Sequence, residues 1–312
     1  MSAAATGTGI RVGAAPVSWG VSELQALPAG ITPELVLDQM VAAGYAGSEL
    51  GPPGFLGDAG ATRARLEQRD LQLVGAFLPL RFSRKEHADE DRANLAGALD
   101  LLDEAMPGPV RPKAILADAS VEPDRLSLTG RIAAHPEAWL PKPRFRVLVD
   151  GLHRAAEMCQ RRGYDAVLHP HAGSYVETDA EVRAVADELD PALVGLCLDT
   201  GHVALGGTDP ATLARDYRHL VRHVHLKDLD RTVLADVTGE GGGLAALIRR
   251  GVFTELGDGH VGMRQVVETL LELGYHGWIV VEQDRVLTGA ETPGELLAAQ
   301  ERNRRFLAGL GL

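Results

Sequence analysis

Short apolar runs alternate with amphipathic stretches along the whole chain. The runs are rich in valine, isoleucine and leucine and have the length of buried strands, whereas the longer stretches repeat apolar residues at helical spacing. The predicted strands cover residues 10–16, 46–50, 71–78, 113–118, 166–169, 194–199, 222–227 and 278–282. The predicted helices cover residues 32–44, 60–70, 87–106, 144–163, 178–190, 210–220, 262–275 and 292–309.

Local signals mark the ends of several helices. Thr32 is a predicted N-cap because its hydroxyl can accept a hydrogen bond from the first turn, and Pro33 suits the first helical position. Gly44 predicts the end of the same helix, since glycine readily adopts the left-handed conformation found there. Pro107 and Gly108 end the third predicted helix.

This alternation predicts an α/β fold, a single (β/α)8 TIM barrel that covers residues 1–312. Nearly continuous apolar strands interleaved with helices imply a parallel sheet covered on both faces, and eight such units favour a closed barrel over an open sheet. No G-x-G-x-x-G sequence follows the first strand, which argues against a dinucleotide-binding fold.

Some segments lie outside the alternation. Residues 1–9 are small and polar, lack the pattern of a signal peptide, and are expected to form a flexible tail. Residues 119–143 are rich in Pro, Arg and Ser and form a long insertion loop after the fourth strand, interpreted as a lid, a dimer arm or a disordered segment. Residues 238–243, which are glycine-rich, and residues 253–262 are expected to be flexible lids over the site.

Composition narrows the classes of function. Hydrophobic residues make up 45% of the chain and charged residues 24%, which is typical of a soluble globular protein. The net charge of −12 argues against nucleic acid or an anionic membrane as a partner. Cys159 and Cys197 are far apart in no metal or redox spacing, so a reducing cytoplasm is expected. No apolar segment is long enough to span a bilayer.

Polar residues recur where the predicted strands end. In a TIM barrel the chemistry belongs to the carboxyl ends of the strands and to the loops after them. The barrel would therefore bring together residues that are scattered in sequence. They are Glu49, His169, His171, Asp199, His202, His225, Lys227, Glu282 and Asp284.

Imidazole and carboxylate side chains on successive strands favour a metal site. Such a set suits Mn²⁺, Co²⁺, Fe²⁺ or Zn²⁺. Taken singly, each residue has a simpler interpretation: a histidine at a strand end is usually structural, and Glu49 could be a salt-bridged barrel residue. His223 should face the same side as His225, one layer deeper, which favours a structural or supporting role. The coincidence of several such residues at one end supports the metal interpretation.

Several strings of residues resemble a known family. They are APVSWG (15–20), GYAGSELGPPGFLG (44–57), HPHAGSYVET (169–178), LCLDTGHVALGG (196–207), HVHLKDLDR (223–231), FTELGDGHVG (253–262) and GWIVVEQDR (277–285). Together they are similar to the xylose-isomerase-like barrel superfamily of sugar isomerases, epimerases and dehydratases, and most similar to its inosose dehydratase branch. The similarity runs over nearly the whole chain.

The resemblance implies roles for particular residues. Metal ligation is implied for Asp199, His225 and Glu282, with His169 at a fourth position where the epimerases of the superfamily commonly have glutamate. That difference makes a two-glutamate epimerisation less favoured than dehydration. Mn²⁺ or Co²⁺ is the expected metal, with Mg²⁺, Fe²⁺ or Zn²⁺ as alternatives. Proton transfer is assigned to His171, Lys227 and Glu282, and contact with substrate to Glu49, His202, Arg231 and Trp19. For Trp19, and for Trp278 near another strand end, core packing is an equal alternative.

The implied reaction is metal-dependent dehydration of a cyclic keto-polyol such as 2-keto-myo-inositol, through a metal-stabilised enediolate. The alternatives are a keto-sugar isomerase or epimerase, a lyase of 3-keto-glycosides, and a sugar-binding barrel without catalysis. An endonuclease of abasic DNA is disfavoured by the acidity of the chain. The expected partners are a small sugar or cyclitol and a second copy in a homodimer.

Overall fold

A closed barrel of parallel strands forms the centre of the protein. The computed structural model describes residues 9–22, 25–27, 29–120 and 122–312. Within these residues eight strands close the barrel, and each pairs in parallel with its neighbours in chain order while the last pairs with the first. They are β1 (Ile10–Ala14), β2 (Gly47–Glu49), β3 (Gln72–Leu80), β4 (Lys113–Asp118), β5 (Ala166–Leu168), β6 (Val194–Asp199), β7 (Val221–Leu226) and β8 (Gly277–Val281). The predicted fold class is confirmed.

Helices surround the barrel. In the described part of the chain they are α1 (Pro33–Ala43), α2 (Ala59–Glu67), α3 (Ala88–Ala105), α4 (Pro123–Ser127), α5 (Lys142–Arg161), α6 (Asp179–Ala186), α7 (Thr200–Leu205), α8 (Pro210–Asp216), α9 (Arg231–Gly239), α10 (Leu244–Arg249), α11 (Met263–Glu272) and α12 (Pro293–Ala308). Each predicted helix overlaps an observed one. The pattern does not predict α4, α7, α9 or α10, which are short.

The sequence signals at α1 act as predicted. The Thr32 hydroxyl accepts a hydrogen bond from the Leu35 backbone N–H at 3.2 Å. Gly44 ends the helix in the left-handed conformation with φ of 90°. The cap and the terminating glycine fix where the chain leaves α1 and enters β2.

The pleat of the strands decides which residues enter the barrel. Ile115, Val167 and Cys197 form a small apolar cluster, separate from the large core cluster that includes their strand neighbours Leu116 and Leu168. Successive side chains of a strand point to opposite faces, so alternate residues share a face. On β5 and β6, the side chains two positions further along the strand share this inward face. They therefore lie at the carboxyl-terminal mouth and face the interior of the barrel.

The insertion after β4 is folded against the barrel. It contains α4 and two short 3₁₀ turns, Ile132–Ala134 and Pro136–Ala138. Arg125 of α4 is almost fully buried, and its guanidinium lies 2.8 Å from Glu181 Oε2 and donates to the Ser174 carbonyl at 2.7 Å. A buried, fully bonded guanidinium holds this segment to the loop after β5.

The segment between β7 and α11 is more ordered than the glycine-rich pattern predicts. α9 and α10 join near residues 239–243, and Gly243 packs so closely that an added Cβ would lie 2.2 Å from the Leu126 carbonyl oxygen. A two-stranded antiparallel sheet joins Asp228–Leu229 to Phe253–Thr254. Residues 238–243, expected to form a flexible lid, lie at the junction of α9 and α10, where the glycines permit close packing against α4.

Two further expectations concern the ends and the membrane. The tail predicted at residues 1–9 lies, except for Gly9, outside the described residues. Across the described ranges, no helix combines the length and the apolar character that crossing a membrane requires.

Candidate metal centre

A cavity of about 420 Å³ opens at the carboxyl-terminal mouth of the barrel. One part of its wall is apolar and includes Pro16, Val21, Pro52, Phe77, Leu244 and Ile248. The other part is polar and includes Glu49, His169, His171, His202, His225, Lys227, Glu282, Asp284 and Arg285. Most of the polar residues singled out from the sequence therefore meet at one cavity.

Four of the residues singled out from the sequence converge on one point beside the cavity. They are His169 just beyond β5, Asp199 at the end of β6, His225 on β7 and Glu282 just beyond β8, and each offers a ligand atom within 4.8 Å of the others. Asp199 Oδ2 lies 3.3 Å from His169 Nε2 and 3.5 Å from His225 Nδ1. His225 Nδ1 lies 3.2 Å from Glu282 Oε2. All four are buried.

The hydrogen bonding of this cluster fits a divalent cation. His225 Nδ1 is a buried atom that makes no hydrogen bond with the described residues, and beside it Asp199 Oδ2 lies 3.0 Å from the Lys227 ammonium. Buried polar atoms are nearly always bonded, so the unbonded imidazole nitrogen facing this point indicates a missing partner. Two imidazole nitrogens and two carboxylate oxygens form a ligand set that suits Mn²⁺, Co²⁺, Fe²⁺ or Zn²⁺.

The phrase D-T-G-H at residues 199–202 has a structural reason at each position. Asp199 caps α7, since its Oδ1 accepts hydrogen bonds from the backbone N–H groups of Gly201 and His202 at 2.9 Å, which leaves Oδ2 facing the cluster. The Thr200 hydroxyl both donates to and accepts from the Lys227 backbone at 2.9 Å. Gly201 makes room for the Lys227 side chain, because an added Cβ would lie 2.6 Å from Lys227 Cγ.

Glu49 supports the cluster from inside the barrel. Its Oε1 lies 2.9 Å from Nε2 of both His223 and His225. Gly75 makes this possible, since a Cβ there would lie 2.9 Å from the same oxygen. Burial opposes the ionised carboxyl group, but His225 and His223 outweigh it and lower the pKa of Glu49. The two histidines share one face, as the strand period predicts.

Lys227 carries its charge among three carboxylates. Its Nζ lies 3.0 Å from Asp199 Oδ2, Glu282 Oε2 and Asp284 Oδ1, and its side chain is only 1% exposed. Burial alone would lower the pKa of Lys227, but Asp199, Asp284 and Glu282 outweigh it and hold the pKa well above its usual value. The group therefore remains a cation at neutral pH, rather than a base.

His171 and His202 stack at the edge of the cavity, with ring centroids 3.9 Å apart. His171 Nδ1 lies 2.8 Å from the Ala172 carbonyl, which can only accept, so Nδ1 carries the proton and Nε2 has a free lone pair. His202 Nδ1 accepts from the Ala172 N–H at 3.2 Å, so its Nε2 carries the proton, 3.4 Å from Asp284 Oδ2. Burial, together with His202 and His169, holds the pKa of His171 well below its usual value.

Two residues expected to contact substrate lie elsewhere. Trp19 is fully buried, and its indole N–H donates to Gln39 Oε1 at 2.7 Å, so core packing is the correct alternative. Arg231 is exposed and does not line the cavity, because Asp230 caps α9 and turns its first residue outward. Trp278 lies at the amino-terminal end of β8, under the Arg11 guanidinium.

The segment 253–262 lies behind the site rather than over it. None of its residues lines the cavity, although the Phe253 ring packs on His202 with centroids 5.3 Å apart. Asp228 holds this segment, since its carboxylate accepts hydrogen bonds from the backbone of Gly257, Gly259 and Val261. The expectation of a lid here is wrong, and the glycines serve the turn around Asp228.

Sequence reasoning missed the two cavity residues Phe77 and Arg285. Phe77 is in the apolar run of β3 but is 40% exposed, because its ring faces the cavity and the edges of His169 and His171. Arg285 closes the string GWIVVEQDR, and its place three residues after Glu282 was the available signal.

Comparison with known proteins gives one family and several relatives. Residues 37–307 match the family model described as a xylose isomerase-like TIM barrel. An inosose dehydratase of Geobacillus kaustophilus is 33% identical over 275 residues, which cover 88% of this chain and 87% of the relative. An inosose dehydratase of Clostridium tetani is 27% identical over 279 residues, which cover 88% and 90%.

A solved structure shares the architecture at low identity. The structure described as IOLI protein with a binding zinc atom superimposes with a TM-score of 0.70 at 14% identity. The match covers 96% of this chain and 97% of the other. At this identity the likeness shows that the two chains have the same fold.

Proposed function

The chain belongs to the xylose isomerase-like TIM barrel family, and we propose that it is a metal-dependent dehydratase of cyclic keto-polyols of the inosose type. The relatives named inosose dehydratase, which match along most of both chains, support this substrate class. One observation carries the proposal: the four-residue ligand cluster adjoins both a buried lysine and a neutral histidine at one cavity.

His169, Asp199, His225 and Glu282 would hold the metal. A divalent cation there supplies Lewis acidity, which polarises a substrate carbonyl and acidifies the neighbouring C–H bond. Mn²⁺ or Co²⁺ is the proposed ion, and a mixed nitrogen and oxygen ligand set supports this choice.

His171 is the proposed base. Its Nδ1–H is held by the Ala172 carbonyl, so Nε2 has a free lone pair and the ring lines the cavity. Burial keeps the imidazole neutral, which is the form that can accept the proton α to the carbonyl. Nε2 of His171 then carries this proton, and the electrons of the broken C–H bond form the enediolate.

Lys227 and the imidazolium of His171 complete the elimination. Its three carboxylate neighbours keep Lys227 protonated. Ligation of a metal by Asp199 and Glu282 would free N–H groups of Lys227 Nζ to donate to the oxygen that becomes negative. When the enediolate electrons return, the β carbon–oxygen bond breaks and the leaving hydroxyl takes the proton from His171. One water is released and both side chains return to their starting forms.

The closing test is turnover of 2-keto-myo-inositol by the protein loaded with Mn²⁺ or Co²⁺. Ultraviolet absorbance of the conjugated product and NMR would follow the reaction. We expect loss of water that depends on metal and is abolished in Asp199→Ala and Glu282→Ala. Asp165→Asn, at the opposite mouth of the barrel between Lys113 and Arg222, is the matched control and should retain activity.

Other results would redirect the proposal. Exchange of the α-hydrogen with rearrangement and no loss of water would make the protein an isomerase or epimerase. Dehydration that is unaffected by Asp199→Ala would contradict the ligand assignment. Metal binding without any reaction of this substrate would refute the inosose-type activity.

A further inference from the structure

Arg285 lines the cavity with no ionic partner among the described residues. It lies three residues beyond Glu282, is half-buried, and lines the cavity wall. Among the residues that the structure describes, none forms a hydrogen bond or ion pair with its guanidinium. A partly dehydrated cation without a counter-charge is costly, and proteins usually keep such a group for a ligand.

Two carboxylates that act on the pKa of Arg285 are already engaged with other groups. Glu255 pairs with Arg302, whose Nη2 lies 2.6 Å from Glu255 Oε1. Glu291 accepts hydrogen bonds from the backbone N–H groups of Thr288 and Gly289 at 2.9 and 3.1 Å. Burial lowers the pKa of Arg285, while Glu291 and Glu255 oppose this at longer range, and a guanidinium remains charged at any ordinary pH.

The two long cations of the cavity wall differ in what surrounds them. Lys227 lies within 3.0 Å of three carboxylate oxygens, so its charge is balanced inside the protein. Arg285 has five N–H donors in a planar fork, and no residue in the described part of the chain accepts a hydrogen bond from them. A fork of this kind matches two neighbouring oxygens of a ligand, with two parallel hydrogen bonds.

We propose that Arg285 is a substrate-binding residue that donates two hydrogen bonds to a vicinal diol of the ring, using oxygens other than those next to the ligand cluster. This inference rests on the proposed function, which supplies a neutral polyol ring as the substrate. A carboxylate on the ring would match the same fork. The diol and the carboxylate both present two adjacent acceptor oxygens to the guanidinium.

Arg285 and Arg231 differ in their position relative to the cavity. The exposed Arg231 at the start of α9 is turned away from the cavity, whereas Arg285 is at its wall. Arg285 follows the strand that carries Glu282, so the oxygens it holds and those at the cluster are positioned by the same strand end. Holding the ring at two places fixes its orientation relative to His171.

The chain offers a matched control for a variant of Arg285. Arg304 on α12 is another half-buried arginine, and it forms no ion pair with any residue that the structure describes. Its guanidinium lies 5.8 Å from the centre of the Tyr45 ring, outside the cavity. Arg285→Met and Arg304→Met remove the same group from similar surroundings. Arg285→Lys keeps the charge but loses the planar fork.

The experiment has two readouts on the metal-loaded protein. The first is steady-state kinetics with 2-keto-myo-inositol. We expect Arg285→Met to raise KM about tenfold to a hundredfold, with a smaller change in kcat, because a hydrogen-bonded charge is lost from binding. Arg285→Lys should recover part of the loss, and Arg304→Met should match the wild type.

The second readout is calorimetric binding of two unreactive probes, myo-inositol and quinate. We expect Arg285→Met to weaken myo-inositol binding by a similar factor. A deoxy analogue that lacks one hydroxyl of the diol should bind the wild type more weakly than myo-inositol does, whereas Arg285→Met should bind the two compounds equally. The opposite outcome is that quinate binds more tightly than myo-inositol, and only when Arg285 is present. The preferred ligand group of Arg285 would then be a carboxylate rather than a diol, and the assignment would be overturned.

The two proposals fail in different ways. Wild-type dehydration with an unchanged KM in Arg285→Met would overturn the role of Arg285 and leave the proposed function standing. Absence of turnover, together with myo-inositol binding that depends on Arg285, would overturn the function and support the binding residue. If the protein shows no turnover and binds neither probe, the result would count against both proposals.

Discussion

Glu49 Oε1 lies 2.9 Å from His225 Nε2, at a depth in the barrel where the carboxylate is almost fully buried. This contact fixes the ring of His225 with Nε2 protonated and Nδ1 facing Asp199 and Glu282. Carboxylates that hold the outer nitrogen of a metal-binding histidine set both its tautomer and its orientation. Glu49 was expected to contact substrate, and we infer from this contact that it positions His225.

Removing this carboxylate should weaken metal binding. We expect Glu49→Ala to lower metal affinity about tenfold to a hundredfold, and Glu49→Gln to lower it less, because the amide oxygen can still accept from the imidazoles. Competition with a chelating dye measures the affinity. Thermal unfolding without metal is the control for a structural effect. A folded Glu49→Ala protein that binds metal like the wild type would contradict the role.

Asp199 has two functions that substitutions can separate. Its Oδ1 caps α7 and its Oδ2 faces the ligand cluster. Asp199→Ser keeps a capping oxygen but is too short to reach the cluster, whereas Asp199→Ala loses both. We expect both variants to lose metal binding, and Asp199→Ala to be less stable than Asp199→Ser by about 1 kcal/mol. Urea unfolding without metal measures the difference, and equal stabilities would show that the cap is unimportant.

The barrel could be predicted from sequence because the signal is repeated and local. The strands 113–118 and 194–199 begin and end where the apolar runs do. The short helices were missed for a different reason. α7 has only six residues, and it exists because Asp199 caps it and Thr200 bonds to the distant Lys227 backbone. Contacts of this kind leave no periodic pattern.

The candidate site was predictable in residue type but not in orientation. A polar residue at a strand end in a TIM barrel faces the mouth, which brought His169, Asp199, His225 and Glu282 together. Trp19 and Arg231 could not be assigned in this way. Pairing of Trp19 with Gln39 depends on how α1 packs, and the direction of Arg231 depends on the cap of α9.

The buried ion pair of Arg125 and Glu181 should carry much of the stability of the insertion after β4. Removing Arg125 leaves the buried Glu181 carboxylate without its counter-charge, so we expect Arg125→Met to lower the free energy of unfolding by about 3 kcal/mol. The double variant Arg125→Met with Glu181→Gln should lose less than the sum of the single variants. Urea unfolding of all four proteins forms the cycle. Additive losses would mean that the two residues do not interact.

Asp103 should give a small stabilisation that depends on pH. A hydrogen bond from Arg162 lowers the pKa of Asp103 in the folded protein, and Tyr164 and Arg111 add to this effect. Folding therefore favours the ionised carboxylate, so the stabilisation is present above the unfolded pKa of about 3.9 and is lost as the pH falls through the folded pKa.

The group is at the surface, so the effect should be modest. We expect Asp103→Asn to lower the free energy of unfolding by at most about 1 kcal/mol at pH 7, with a smaller difference in high salt and near pH 3.5. Asp89→Asn, which removes a highly exposed acid paired with Arg92, is the control and should have almost no effect. A loss that is unchanged by pH and salt would point to packing instead of charge.

Phe77 should set the fit of the substrate ring. A large aromatic side chain that is 40% exposed inside a barrel strand offers its face to the cavity, and the C–H face of a cyclitol ring is the apolar surface that suits it. We expect Phe77→Leu to raise KM for 2-keto-myo-inositol several-fold and to change thermal stability little, because the ring is not part of the buried core. Val110→Ala, which trims another exposed apolar side chain outside this cavity, is the control. If Phe77→Leu leaves KM unchanged but lowers metal affinity, then the ring acts through its edge contacts with His169 and His171 and does not touch the substrate.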